Sequence, residues 1–288
     1  ANLSMRGNSN LTLNTKLRPN LNNVYNIKFK SEDFARFLTN LPVSNNNPLV
    51  KLASNDLMKS ISANVDIISS GDIVQINNLN ADFSNINAKG NINISKNNIK
   101  GDLNIGSINI DNNKDNLAKL ATLIANIKTD LDIKAKDIIR NEVTLPSLSF
   151  KLIGENNKLN IQEFNANLKD EDVFKGETEF NFANLALNDF NIDINLPSKN
   201  SDEIAKFFNF KIPMLSILKN SANIIGKFSG NIQEVNFDLS GDPNKDKISI
   251  KGVSKDKGNN YTADINIEAT SNIDALLKPL SIPVNSFI

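Results

Sequence analysis

The sequence predicts a mainly β protein, an elongated and curved antiparallel β-sheet repeat that forms a groove, with short helices between its repeat units. Three observations predict this fold class: strand-type alternation along most of the chain, a recurring dipeptide of a basic residue and glycine, and a recurring short amphipathic segment. The run NINAKGNINI at 85–94 is representative, because Ile and Ala alternate with polar residues. Such alternation is typical of an antiparallel strand with one buried face.

The composition excludes several classes of function. The 32 basic residues balance the 32 acidic residues, whereas nucleic-acid binding requires a basic face. The chain has no Cys, no His and no Trp, so Ser-His and Cys-His nucleophile pairs and zinc sites with thiolate or imidazole ligands are excluded. We therefore expect a protein that is not an enzyme and that has no cofactor, no metal and no nucleic-acid partner.

The recurring dipeptide indicates a repeat of roughly 80 residues. Glycine inside a strand usually marks a bulge or bend, so we predict a bend at each copy, with the basic side chain solvated at the outer edge. We predict one continuous array with units at 6–88, 89–174, 175–250 and a partial unit at 251–288, and we interpret the chain as a fragment of a longer protein. The four dipeptides are Arg6-Gly7, Lys89-Gly90, Lys175-Gly176 and Lys251-Gly252.

A short amphipathic segment follows each glycine-containing stretch, and its apolar positions have helical spacing. These segments begin at Ser31, Lys114, Ser201 and Thr270. Ser and Thr are favourable N-cap residues, so we predict four helices with these starts. Two roles are open for them: they cap the edge of the sheet, which is the simpler interpretation, or they gate a groove.

A third marker lies between helix and glycine. VQINNLNADF at 74–83 aligns with LNIQEFNANL at 159–168, and IQEVNFDL at 232–239 repeats most of it. In each copy apolar residues alternate with polar ones up to an Ile, and two polar residues follow it. The alternation then continues with apolar residues at positions of the opposite parity. A slip of one residue turns every later side chain to the other face unless a bulge absorbs it. We predict bulges at 77–78, 162–163 and 233–234.

The apolar face of such a sheet has to be covered, and four short helices cannot cover about 20 strands of typical length. Two arrangements satisfy this requirement. Either two sheets face each other as a sandwich, or one curved sheet forms a trough whose apolar inside is shared with a ligand. A strand of six residues spans about 20 Å, which is close to the length of an acyl chain.

The span 115–182 contains, in order, a short helix, a DLDIKA strand, the strand LPSLSFKL, the turn GENN, the strand LNIQEFNANL, and a glycine-bearing turn into another strand. In this order of elements the span resembles the AsmA-like proteins of diderm bacteria. The spans 65–111 and 224–267 match more loosely. One departure is Phe174-Lys175-Gly176, where the family often has a double glycine.

This resemblance implies a periplasmic protein that is anchored to the inner membrane by a segment outside this chain. It also implies a relation to bridge-like lipid transfer proteins, which are thought to carry phospholipid along an apolar groove toward the outer membrane. The alternative is a structural or adhesive β-repeat module with a closed, dry core. A hydrolase is disfavoured by the missing His and Cys.

The candidate groove residues are apolar side chains on one face of the predicted strands, and we favour groove lining over a closed core for them. They are Ile92, Ile94, Leu103, Ile105, Leu131, Ile133, Leu148, Phe150, Leu159, Ile161, Phe180, Phe182, Phe228, Phe237, Ile265 and Ile267. Two DxNxD strings, at 111–115 and 242–246, lack the Gly and Glu that an EF-hand loop requires, so we reject them as EF-hands and treat a looser ion site as a minor alternative.

Overall fold

The computed structural model confirms a mainly β protein built as one long, open and curved sheet. It describes residues 2–5, 9–16, 23–34, 36, 60–70, 73–83, 86–95, 98–113, 117, 124, 128–155, 158–168, 171–181, 186–197, 200, 203, 206–207, 218, 221–231, 233–243, 247–256 and 261–270. Seventeen strands lie within these ranges.

The strands of the first half are β1 (Asn2–Met5), β2 (Ser9–Lys16), β3 (Asn23–Ser31), β4 (Ile61–Ser70), β5 (Ile73–Phe83), β6 (Ile86–Ser95), β7 (Asn98–Ile105) and β8 (Ile108–Asn109). The strands of the second half are β9 (Lys128–Arg140), β10 (Val143–Glu155), β11 (Lys158–Leu168), β12 (Glu171–Asn181), β13 (Ala186–Pro197), β14 (Asn223–Gly230), β15 (Glu234–Gly241), β16 (Ile248–Asp256) and β17 (Tyr261–Ala269).

Consecutive strands pair antiparallel along the chain, except where β7 and β8 meet β9. The exception lies between β7 and β9, which run parallel from the pair Asn98–Lys128 to the pair Ile105–Ala135. The two-residue β8 continues the line of β7 and pairs with the end of β9. A parallel pair requires a crossover connection, and residues 106–127 form it. The sheet therefore consists of two antiparallel halves joined at one parallel seam.

Two of the three predicted bulges are confirmed. The register of β5 against β6 shifts between Ile76 and Leu79, and that of β11 against β12 shifts between Ile161 and Phe164. Asn78 and Glu163 have φ angles of 54° and 51°, in the left-handed region. The alternation of apolar residues changes parity at each of these points in the sequence. The extra residue of the bulge compensates for this change, so the apolar side chains before and after it lie on the same face of the sheet.

The predicted bulge at 233–234 is wrong, because the chain reverses there. β14 ends at Gly230 and β15 begins at Glu234. The Asn231 side-chain oxygen accepts hydrogen bonds from the backbone N–H groups of Gln233 and Glu234, and the Asn231 N–H donates to the Glu234 carbonyl at 2.8 Å. An Asn side chain that bonds its own backbone in this way favours a turn.

Replacing Glu163 by glycine is expected to stabilise the protein by up to about 1 kcal/mol, because glycine adopts a positive φ without the cost that a β-carbon imposes. The matched control is Gln162→Gly in the same bulge, since Gln162 is not among the residues with positive φ. Glycine there should lower stability. Urea unfolding of both variants measures the difference, and a Glu163→Gly variant less stable than Gln162→Gly would contradict this account of the bulge.

The predicted bends at the Lys-Gly dipeptides are wrong for the copies that the structure describes. Gly90 lies inside β6, where it pairs with Leu79 beside the bulge of β5 and with Leu103 of β7, and Gly176 lies in the same way inside β12. The physical reason for glycine is the close approach of the next strand: a β-carbon on Gly90 would overlap the carbonyl oxygen of Asp102. The lysines preceding Gly90, Gly176 and Gly252 are exposed, and Arg6-Gly7 lies outside the described residues.

One predicted helix start, at Ser31, is also wrong. Asp33 caps the first helical turn by accepting the Arg36 N–H at 3.0 Å, while Ser31 is buried at the end of β3 and hydrogen-bonds Ser9 at 2.8 Å. In the crossover, helical residues begin at Ile110, and the Asn109 side chain accepts the Asn112 N–H at 3.0 Å. Asn and Asp are as effective as Ser in this position. The starts at Ser201 and Lys114 and the helix after Thr270 lie outside the described residues.

The tip of the hairpin between β9 and β10 joins two of the helical connections. Asn141 and Glu142 have φ angles of 48° and 63°, as a type I′ turn requires. The Asn141 N–H donates to an oxygen of Asp111 at 2.6 Å, and its side-chain amide donates to the Lys206 carbonyl at 2.7 Å. Lys206 also forms an ion pair with Glu142 at 2.7 Å. Asp111, from the first DxNxD string, thus has a structural role. No helix within the described ranges has the length and apolarity needed to cross a membrane.

Candidate functional site

The register of the sheet aligns apolar residues into rows that cross the strands. Residues directly opposite each other on neighbouring strands lie on the same face. Row A is unbroken from β2 to β17, and all its members are apolar or glycine. Its members are Leu11, Phe29, Ala63, Ala81, Ala88, Ile105, Ala135, Leu148, Ala166, Phe174, Ile194, Gly226, Leu239, Ile250 and Ile267. At a strand spacing of about 4.8 Å this row is roughly 65 Å long.

Two further rows run beside row A on the same face. Row B comprises Leu79, Gly90, Leu103, Ile133, Phe150, Phe164, Gly176, Ile192, Phe228, Phe237, Gly252 and Ile265, in two runs that meet at the bulge of β11. Row C comprises Ile67, Ile76, Ile92, Gly101, Leu131, Leu152, Ile161, Thr178, Phe190, Gly230, Val235, Ser254 and Ala263. The confirmed bulges lie between rows B and C, so they keep both rows on this apolar face.

The pairing places the described candidate residues on this one face. Ile105, Leu148 and Ile267 lie in row A, and Ile92, Leu131 and Ile161 lie in row C. Leu103, Ile133, Phe150, Phe228, Phe237 and Ile265 lie in row B. Ile94, Leu159 and Phe180 belong to a shorter row that continues beyond row C through Ile99, Thr129 and Gly154. The side chain of Phe180 and all of Phe182 lie outside the described residues.

Burial on the apolar face differs between the rows and between the two halves of the sheet. In row A of the second half, Ala166, Leu239 and Ile250 are completely buried. In the first half, from β2 to β7, most apolar-face side chains of Ile, Leu and Phe are half-buried, as Ile76, Ile92 and Leu103 show, although Ile61 is buried. The second half therefore has the larger buried core, around row A, whereas the first half leaves more apolar surface accessible.

Residues from the connections lie against the apolar face and cover part of it. Ile124, from the crossover, packs on the cluster of Leu131, Ile133, Leu152 and Leu159. Phe207 and Leu218, from the connection between β13 and β14, belong to the core around row A. Phe34 meets the ring of Phe29 edge-on, with centroids 5.7 Å apart. The described helical segments thus contact the apolar face itself.

Sequence reasoning missed most of row A. Ala81, Ala88 and Ala166 are small, and alanine carries little strand signal. Phe174 was missed because Gly176 was interpreted as a bend, which interrupted the alternation on either side of it. Counting glycine as an apolar-face position would have recovered the row, since Phe174, Gly176 and Thr178 alternate without a break.

The opposite face is polar and is held together by hydrogen bonds across strands. Asn26 and Asn78 donate to the two carboxylate oxygens of Asp66 at 2.8 and 2.9 Å, and these bonds hold the pKa of Asp66 below its usual value. The Asn78 N–H also donates to the side-chain oxygen of Asn91, and the side-chain amide of Asn91 donates to the Asp102 carboxylate. The bulge residue Asn78 therefore links β4, β5 and β6.

Asp130 is bracketed by two lysines on this polar face. Its carboxylate lies 3.3 Å from the Lys100 amine and 3.3 Å from the Lys151 amine. Partial burial raises the pKa of Asp130, but the hydrogen bonds and charges of Lys151 and Lys100 outweigh this effect and hold it below 3.8. Because the folded pKa is depressed, this stabilisation is present above the unfolded pKa and is lost as pH falls through the folded value.

Asp130→Asn is therefore expected to lower stability at pH 7 by less than about 1 kcal/mol, as for exposed ion pairs. The difference from the parent protein should be smaller at pH 2, because the ionic contribution of the parent carboxylate is lost as the pH falls through its depressed pKa. Urea unfolding at the two pH values measures this change, and Asp264→Asn on the exposed side of β17 serves as the control. An equal loss of stability at both pH values would show that the contribution of Asp130 is not ionic.

The apolar face is defined by strand pairing and burial and not by an enclosed cavity. A depression of about 720 Å³ lies on the polar face near the ends of β14 to β17, where Ile225, Ser240, Ser249 and Glu268 line it. It is separate from rows A to C. Within the described ranges no three acidic side chains come together as metal ligands.

Comparison with known proteins gives no match to a protein-family model, to a curated protein or to a solved structure.

Proposed function

We propose that this chain is a non-enzymatic lipid-binding and lipid-transfer segment, which carries phospholipid along the apolar face of its curved sheet. The observation that carries this proposal is row A, an apolar track without a charged or polar member across fifteen strands. An isolated core does not require an uninterrupted track of roughly 65 Å, whereas movement of an acyl chain from one end to the other does.

The physical basis is the burial of methylene groups. Each methylene that leaves water contributes about 0.8 kcal/mol, so an acyl chain lying across rows A to C is held without any directional bond. Because each strand of row A contributes at least one Ile, Leu or Phe side chain to the three rows, an acyl chain meets apolar side chains all along the track. A lipid then moves in small steps with no deep trap.

The resemblance to AsmA-like proteins supplies the biological setting of the proposal. In that setting the segment lies in the periplasm of a diderm bacterium, and the parent protein is anchored to the inner membrane. Phospholipid moves between the inner and outer membranes as part of outer-membrane biogenesis. The half-buried residues of β2 to β7 support entry of the acyl chain at that half.

Native mass spectrometry of the purified chain, followed by organic extraction and lipid identification, tests the proposal. The expected result is a set of phospholipid adducts that disappear on extraction, together with transfer of labelled phospholipid between vesicles. A lipid-free mass that persists after incubation with liposomes would overturn it.

A second candidate is a structural or adhesive β-repeat module with a closed, dry core. The complete burial of Leu239 and Ile250, together with Phe207 and Leu218 in the same core, favours it for the second half of the sheet. A closed module should bind no hydrophobic dye in its native state, whereas an open trough should bind it. Dye binding that phospholipid displaces would therefore favour lipid transfer over this candidate.

A further inference from the structure

Ser254 is an unusual residue on the apolar face. It lies in row C, where its pairing partners are Val235 and Ala263. Its side chain is only 6% exposed, and its hydroxyl oxygen has no hydrogen-bond partner among the described residues. The other hydroxyl in row C, that of Thr178, donates to the Asp189 carbonyl at 3.1 Å. A buried hydroxyl without a partner costs about 1 to 3 kcal/mol, so its presence calls for a physical reason.

The surroundings of Ser254 are small compared with the rest of row C. Gly252 precedes it on the same face of β16, and Gly230 follows Phe190 in row C. Elsewhere the row carries mostly Ile and Leu. The ring of Phe237 lies over Gly252 and, as a diagonal neighbour across the strand pair, is within reach of Ser254.

The position of Ser254 is near the rim of the face. β16 ends two residues later, at Asp256. An acyl chain that lies across rows A to C therefore reaches the edge of the apolar face at this point. In a glycerolipid the ester group lies at the corresponding end of the tails, where they join the headgroup.

We propose that Ser254 is a polar subsite of the track, whose hydroxyl donates a hydrogen bond to an ester carbonyl of a glycerolipid when the Phe237 ring turns away from Gly252. This inference rests on the proposed function and adds to it the substrate class: ester-linked diacyl lipids, with the glycerol backbone at the rim of β14 to β16. Without lipid the hydroxyl stays unpaired, and with lipid it is satisfied.

The test compares two probes that differ only in the linkage of their chains: liposomes of dioleoyl phosphatidylglycerol and liposomes of its dialkyl ether analogue, each incubated with the delipidated 288-residue chain. Native mass spectrometry measures the lipid retained. A neutral hydrogen bond is expected to give the parent protein about a fivefold preference for the ester. In Ser254→Ala the ester should fall to the level of the ether, and binding of the ether should stay unchanged. Ser249→Ala, on the opposite face of the same strand, should keep the preference.

The outcomes separate this inference from the proposed function. Equal retention of ester and ether by the parent protein, or a preference that survives in Ser254→Ala, overturns the subsite and leaves lipid transfer standing. Retention of neither probe overturns both. Without lipid, Ser254→Ala should raise the midpoint of thermal unfolding by about 2 °C, because it removes an unpaired hydroxyl. A fall in that midpoint means that the protein itself satisfies the hydroxyl, which also overturns the subsite.

Discussion

Replacing Gly90 by alanine is expected to destabilise the protein by about 3 kcal/mol, near the upper end of the cost of overpacking. The added β-carbon would overlap the backbone carbonyl of Asp102 on the neighbouring strand. A backbone atom in a continuous ladder cannot move aside as the end of a side chain can, so the strands have to separate. Gly176 is in the same situation against the carbonyl of Asn191, and Gly176→Ala should behave alike.

The matched control is Gly106→Ala, just after β7. A β-carbon there would meet its nearest atoms, in Asn87, at 3.5 Å, which is ordinary van der Waals contact. The control should therefore be close to neutral. Urea unfolding of the three variants gives the comparison, and a Gly90→Ala protein as stable as Gly106→Ala would show that the strands tolerate a side chain at Gly90.

Replacing Ile94 by aspartate is expected to lower phospholipid retention at least tenfold while the sheet stays folded. Ile94 is half-buried on the apolar face, where it pairs with Val74 and Ile99. An acyl chain lying on it would strip water from the new carboxylate, and an unpaired buried charge costs several kcal/mol. In the lipid-free protein the same carboxylate keeps contact with water. Ile161→Asp, in row C of the second half, should also abolish lipid binding.

Asn93→Asp is the control for this prediction, because it adds the same charge to the same strand on the exposed polar face. Asn93 pairs with Lys100, which favours a carboxylate there. Native mass spectrometry with circular dichroism separates binding from folding. The groove is contradicted if Ile94→Asp retains as much lipid as Asn93→Asp, or if it unfolds and the unmutated protein never retains lipid.

Alternation by itself predicted where the strands lie and which side chains share a face. Ile92, Leu131 and Ile161 were chosen from alternation alone, and the register joins them through Gly101 and Leu152 into row C. The bulges at 77–78 and 162–163 were also predictable. In both places strand-type alternation is present before and after the change of parity, so a bulge is needed to keep the apolar side chains of both parts on one face. At 233–234 no strand residues directly precede the change of parity, so a similar sequence forms a turn.

Features that depend on a distant part of the chain could not be predicted. Gly90 is required by the carbonyl of Asp102, which is on another strand, and nothing near Gly90 in the sequence shows this approach. The alternation of apolar side chains also changes parity within β9, and this change was missed because its cause lies on the neighbouring strand β10. Asp137 takes a φ of 51° opposite Pro146, and the proline has no N–H to continue the ladder.

The sequence by itself determined a mainly β protein with one apolar and one polar face, because alternation is a local property with a period of two residues. It also determined the positions of two bulges, since parity is local as well. Only the tertiary structure decided that row A is unbroken, that the halves of the sheet meet at a parallel seam, and that the larger buried core lies in the second half. Register, strand order and covering depend on which distant segments pair and pack, and pairing free energy is summed over the whole sheet and is not encoded in any single stretch.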